Sequence, residues 1–160
     1  MSDKMGEKED EILKRFVDLN LPEPEVGSEN KRYYHQVLCG IKKAWLGHKE
    51  LRELVEPWHQ FIKREISPKS GFLKASSILT IDCVCTIDKR AWILEVKYIP
   101  KQGADKWEQA LGQILIYAEL FAEDHPEYED VKKSVIINKE QWHPYIEPVY
   151  EMYGIELFKV

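Results

Sequence analysis

The stretch from Ile78 to Tyr117 constrains this chain more than any other. Two apolar runs, Ile78–Ile87 and Ala91–Ile99, meet at the tight polar turn Asp88-Lys89-Arg90. Runs this rich in Ile, Val, Thr and Cys predict adjacent, largely buried strands. Three charges interrupt them where a core strand should have none: Asp82, Glu95 and Lys97. Carboxylates are costly in a buried sheet unless something pairs with them. Where carboxylates cluster, a divalent cation is the usual partner.

Strand alternation puts Glu95 and Lys97 on one face, with Leu94, Val96 and Tyr98 on the other. If the two runs pair, Asp82 approaches Glu95 from the neighbouring strand. Two carboxylates, with the Val96 carbonyl and water, can then hold Mg²⁺ or Mn²⁺. Such a metal acidifies a bound water and stabilises charge on a phosphate in transfer. Lys97 is a compact cation beside it, suited to orient the attacking water.

Asp82 followed by Glu95-Val96-Lys97 resembles the PD-(D/E)XK nuclease superfamily. The next helix adds Gln113-Ile-Leu-Ile-Tyr117, which is similar to the Q-x-x-x-Y element of the RecB-like branch. Gln113 and Tyr117 are spaced i, i+4 and so share a helical face, with Gln109 one turn earlier. The resemblance implies that this face lies against the site and contacts the DNA backbone. It implies catalytic roles for Asp82, Glu95 and Lys97, metal ligands in Asp82, Glu95 and Val96, and DNA contacts from Gln113 and Tyr117. It covers about a quarter of the chain. Taken singly, each residue also fits an ordinary role: a solvated edge pair, a turn aspartate, the margin of a core helix. The order and hydrophobic setting of the whole set carry the reading.

At 160 residues, 44% hydrophobic and 32% charged, the chain has the size and composition of one soluble globular domain. No apolar run nears the ~20 residues of a membrane span, and the charged N-terminus lacks a signal-peptide core. The expectation is a cytoplasmic protein, nuclear in a eukaryote, with no membrane partner. Three cysteines, Cys39, Cys83 and Cys85, form no disulfide or zinc framework. Some RecB-like nucleases hold an iron–sulfur cluster on four cysteines; three are too few, so no cluster is expected. Net charge is −5, but it is unevenly spread: −5 over residues 1–29, +7 over 30–107 and −7 over 108–160. The basic third includes the carboxylates, and local potential rather than net charge steers a phosphate backbone.

Residues 1–28 read as a helix (Lys8–Leu19, striped by Ile12, Leu13, Phe16 and Val17) and a Pro/Glu linker. Glu29–Leu46 reads as a second helix, with Tyr33, Tyr34, Val37, Leu38, Ile41 and Trp45 on one face. Lys31, Arg32, Lys42 and Lys43 fall on the other, a solvated or phosphate-contacting surface. Lys49–Ile66 reads as a third helix, in which Glu53 or Glu56, or His48 before it, is a candidate further acid or ligand by the same resemblance. Phe72–Ser76 reads as a short strand. Asp105 and Glu108 suggest a capping box on a helix running to about Ala122. An acidic loop over Glu123–Lys133, a strand over Ser134–Asn138, a helix over Pro144–Tyr153 and a closing strand over Ile155–Val160 complete the chain. The expected architecture is a mixed α/β (α+β) sheet flanked by helices: a restriction-endonuclease-like αβββαβ core over 48–160 with an N-terminal helical extension.

The function expected is metal-dependent hydrolysis of DNA, single-stranded, duplex or branched, in repair or recombination. One alternative is a Holliday-junction-resolvase-like endonuclease acting as a homodimer. The other is an inactive nucleic-acid- or protein-binding module of the same fold, alone or as a subunit of a larger complex.

Overall fold

A computed structural model of the chain describes residues 6–40, 79–100 and 103–160. The expected third helix with Glu53 and Glu56, His48 and the expected strand Phe72–Ser76 all lie outside these residues.

Helix α1 spans Glu7–Asp18, and the strands are β1 Lys31–Cys39, β2 Leu79–Ile87 and β3 Arg90–Lys97. Helix α2, Ala104–Asp124, leads to β4, Asp130–Ile137. Helix α3, Glu147–Met152, leads to β5, Ile155–Lys159. The strands form one five-stranded mixed sheet in the order β1-β2-β3-β4-β5. β2 runs antiparallel to both β1 and β3, while β4 is parallel to β3 and β5 to β4. Consecutive strands on a short turn pair antiparallel, and a connection through a helix returns the chain parallel.

Among the described residues, each face of the sheet is covered by one helix, α2 on one side and α1 on the other. The α2 face holds Val37, Ile81, Val84, Ile93, Val135 and Ile137 against Ile114, Ala118 and Phe121. The opposite face holds Tyr33, Cys83, Cys85, Trp92, Leu94 and Val96 against Ile12, Leu13, Phe16 and Val17 of α1. Those four α1 side chains are at most 1% exposed, and burial of each stabilises by about 1.5–3 kcal/mol before entropic costs. Cys83 and Cys85 are core residues here, as their alternation predicts.

The segment after α1 is no loose linker. Pro22 is buried, and the Lys31 ammonium donates to the carbonyl oxygens of Asn20, Pro22 and, at 2.9 Å, Glu23. Tyr33 Oη donates to Leu21 O at 2.7 Å, and Arg90 grips the Glu23 carboxylate with both terminal nitrogens at 2.7 and 3.0 Å. Lys31 is therefore buried, 3% exposed, and not part of an open basic face. The sheet and its cover begin well before residue 48.

The main correction is β1, which stands at Lys31–Cys39 where the sequence predicts a helix over Glu29–Leu46, of which residues 41–46 lie outside the described residues. Gln36 has φ of 53°, a left-handed backbone that reverses the alternation in mid-strand. Tyr33 therefore packs on the α1 side, while Tyr34, Val37 and Cys39 pack on the α2 side. Apolar residues at 33, 34 and 37 imitate a helical period although the chain is extended. Two boundaries also differ. The N-cap of α2 is Gly103, with no side-chain cap, so the Asp105–Glu108 capping box does not form. The acidic stretch before Ser134 joins β4 from Asp130 onward.

Candidate active site

The face reversal in β1 has a counterpart in β2. Cys83 and Cys85 lie on the α1 side, but Ile81 joins the α2 side with Val84. The change falls at Asp82, level with Gln36 between the pairs His35–Cys83 and Val37–Ile81. Pairing of β2 with β3 ends at the same level, at Cys83–Leu94. Beyond it, side chains replace the ladder. Val96 N–H donates to Asp82 Oδ2 at 2.9 Å, and Asp82 N–H donates to Glu95 Oε1 at 3.4 Å. The two strands thus fork, and both carboxylates stand in the fork. In an extended strand the N–H and C=O of one residue point the same way, so the Val96 carbonyl also faces the β2 side.

Glu95 is 2% exposed and Asp82 partly buried. Burial pushes both carboxyls up, Asp82 to about 6; Glu95 goes well above its ordinary range, raised further by the charge of Asp82. Two carboxyls placed this close, both pushed up by burial, resist carrying two charges at once. Lys97, half-buried two residues along the same face of β3, opposes both shifts through its positive charge.

Helix α2 brings Gln113 and Tyr117 to this pair. Burial and then the fields of Glu95 and Asp82 raise the Tyr117 hydroxyl, while a hydrogen bond from Gln113 partly offsets them. Gln113 Oε1 is itself buried with no partner among the described residues, an acceptor open to an incoming donor. Asp82, Glu95, Lys97, Gln113 and Tyr117 are therefore neighbours, drawn from two strands and a helix.

Two groups join them that the sequence did not single out, Glu9 and Cys39. The charge of Glu9, on α1, reaches Asp82. Beside it Asp10 is raised by burial and held back by His35 of β1. Cys39, at the end of β1, is raised by burial and by the charges of Asp124 and Glu95. Glu9 and Asp10 sit in an acidic run that reads as a solvated helix end. Only the packing of α1 over β3 and β4 brings Glu9 near, and no local signal carries that. Among the described residues, no group of three or more His, Cys, Asp or Glu is arranged to hold a metal ion. None of the described helices is long and apolar enough to cross a membrane.

Compared with protein-family models, curated proteins and solved structures, the chain has no significant match in any of the three.

Proposed function

We propose that this chain is a divalent-metal-dependent nuclease that hydrolyses phosphodiester bonds of DNA. One observation carries the reading: the Asp82 and Glu95 carboxyls, both pushed up by burial, stand together in a strand fork beside Lys97 and the Gln113–Tyr117 edge of α2. A carboxyl pair placed so gains nothing for the fold, since burial penalises both. Two oxygen-rich side chains and an inward carbonyl fit Mg²⁺ or Mn²⁺, which keeps its remaining positions for water and phosphate. Asp82, Glu95 and the Val96 carbonyl would hold the ion, and when bound it would supply acidified water and charge neutralisation at phosphorus.

The chain's own residues provide the rest. Val96 N–H fixes the Asp82 carboxylate, so one oxygen is oriented before any ligand arrives. The Lys97 ammonium can donate to an attacking water and offset charge gathering on the phosphate oxygens. Tyr117, kept protonated by its surroundings, is a donor at neutral pH that can bond a backbone phosphate, with Gln113 holding its hydroxyl. Among the described residues the elements run α1-β1-β2-β3-α2-β4, compatible with the αβββαβ order that the superfamily resemblance implies, which supports the reading.

A second reading, a nucleic-acid-binding module without catalysis, is favoured by the absence of a third ligating side chain among the described residues. Metal dependence separates the two. Purified protein incubated with labelled single-stranded, duplex and four-way-junction DNA should cut in Mg²⁺ or Mn²⁺ and not in EDTA. Glu95→Ala should lose the cutting, by at least 10³-fold, while its circular dichroism stays unchanged. Normal cutting by Glu95→Ala would show that the site is assigned wrongly. No cutting of any substrate, with no metal binding by calorimetry, would favour the binding module.

A further inference from the structure

Most of the described aromatic bulk is sequestered, with Trp92 and Trp107 each 2% exposed. Trp142 and Tyr145 break that pattern at 70% and 81% exposed, three residues apart on the loop between β4 and α3. Their position is fixed by the fold. Asn138, just past β4, clasps Ile99, just past β3: Ile99 N–H donates to Asn138 Oδ1 at 2.7 Å, and Asn138 Nδ2 donates to Ile99 O at 3.0 Å. The loop therefore leaves the sheet at the edge where β3 delivers Lys97. Trp142 and His143 line one cleft with Ile99 and Trp107. His143 stands edge-on between Trp107, at 6.1 Å, and Tyr145, at 6.2 Å, so the exposed Tyr145 ring rests on a packed aromatic base. From Glu95 to Ile99 is ~13 Å along an extended strand, a reach of a few nucleotides.

We infer that Trp142 and Tyr145 form a stacking platform for unpaired bases of a single-stranded nucleic acid whose backbone runs on into the Asp82–Glu95 fork. Base faces are free for stacking in single strands and hidden in a duplex, and stacking on aromatic side chains is tolerant of sequence. Two lysines flank the path, Lys106 in the first turn of α2 and Lys139 at the head of the loop, neither in an ion pair among the described residues. Asp105 and Glu140 lie next to them in sequence, so the platform carries little net charge. Its affinity should come from stacking more than from counterion release, giving a shallow salt dependence. The inference rests on the proposed function and deepens it: the preferred substrate has a single-stranded segment.

The test separates it from that reading, because it needs no catalysis. A dye-labelled oligothymidylate is titrated in EDTA against the full chain and against Trp142→Ala and Tyr145→Ala, followed by anisotropy and by intrinsic tryptophan fluorescence. Stacking predicts quenching in the parent chain and at least five-fold weaker binding in each variant. It also predicts a comparable loss when an abasic oligomer of equal length replaces the oligothymidylate. Both rings are largely exposed, so both variants should fold, which circular dichroism checks. Equal affinity of parent and variants, or equal affinity for abasic and thymidine strands, would overturn the inference. Metal-dependent cleavage of single strands with an unchanged KM in both variants would overturn it and leave the nuclease reading standing. Trp142-dependent binding by a chain that cuts nothing would uphold it and sink the nuclease reading.

Discussion

Asp82→Asn should make the metal-free protein more stable at neutral pH. The asparagine keeps an oxygen to accept from Val96 N–H, can donate its amide to Glu95, and removes the Asp82 group whose ionisation burial penalises. The magnitude follows from the Asp82 carboxyl, raised from its usual 3.8 to about 6, first by burial. Two units at about 1.4 kcal/mol each come to about 3 kcal/mol, and the partial exposure of Asp82 brings this nearer 1.5 kcal/mol. The sign is that of a raised acid. The folded state binds the proton more tightly than the unfolded one, so the penalty is full above pH 6 and gone below 3.8. The parent chain should thus gain stability from this group as pH falls from 7.5 to 4.5, and the variant should not. Urea unfolding in EDTA at pH 7.5, 6 and 4.5 reads both curves, and the gap between them should close toward the acid end. Millimolar Mn²⁺ at pH 7.5 should stabilise the parent and leave the variant unmoved. A variant less stable than the parent at pH 7.5, or a gap of the same size at every pH, would refute the account of the fork.

Three further outcomes follow. Lys31→Met removes the ammonium that satisfies three main-chain carbonyls and should cost about 3–5 kcal/mol in chemical denaturation; a loss below about 1 kcal/mol would mean the connector does not depend on it. Tyr117→Phe should leave stability within about 1 kcal/mol while raising KM for DNA cleavage, and an unchanged KM would remove Tyr117 from the substrate path. Asn138→Ala should unclasp the ends of β3 and β4, costing about 1–3 kcal/mol and weakening oligothymidylate binding together with Trp142→Ala.

The parts of the fold legible in the sequence are those where one rule acts alone. β2 and β3 announce themselves through unbroken β-branched runs and a polar turn, and α2 through the spacing of Trp107, Ala110, Ile114 and Ala118. The neighbourhood of Asp82, Glu95, Lys97, Gln113 and Tyr117 was legible because each lies on such an element, so alternation and helical spacing fix where it points. β1 was illegible because a single left-handed residue, Gln36, overrides strand periodicity and leaves a pattern that mimics a helix. Lys31 misled for a related reason. A lysine reads as solvated, and the carbonyls that hold it come from a connector whose path no local rule describes. The charge of Glu9 reaches the fork through tertiary packing alone.

The carbonyl cage around Lys31 also bears on how this chain can be divided. Helix α1 resembles an appendage when read along the sequence, and a shortened chain starting near residue 28 would look like a natural unit. Such a cut would strip Ile12, Leu13, Phe16 and Val17 from Trp92, Leu94 and Val96, and would take from a buried cation the three carbonyls of residues 20, 22 and 23. Among the described residues, the α1 side of the sheet would lose its helical cover. Shortened forms should therefore aggregate or fail to fold, and inactivity in them would say nothing about the chemistry of the fork.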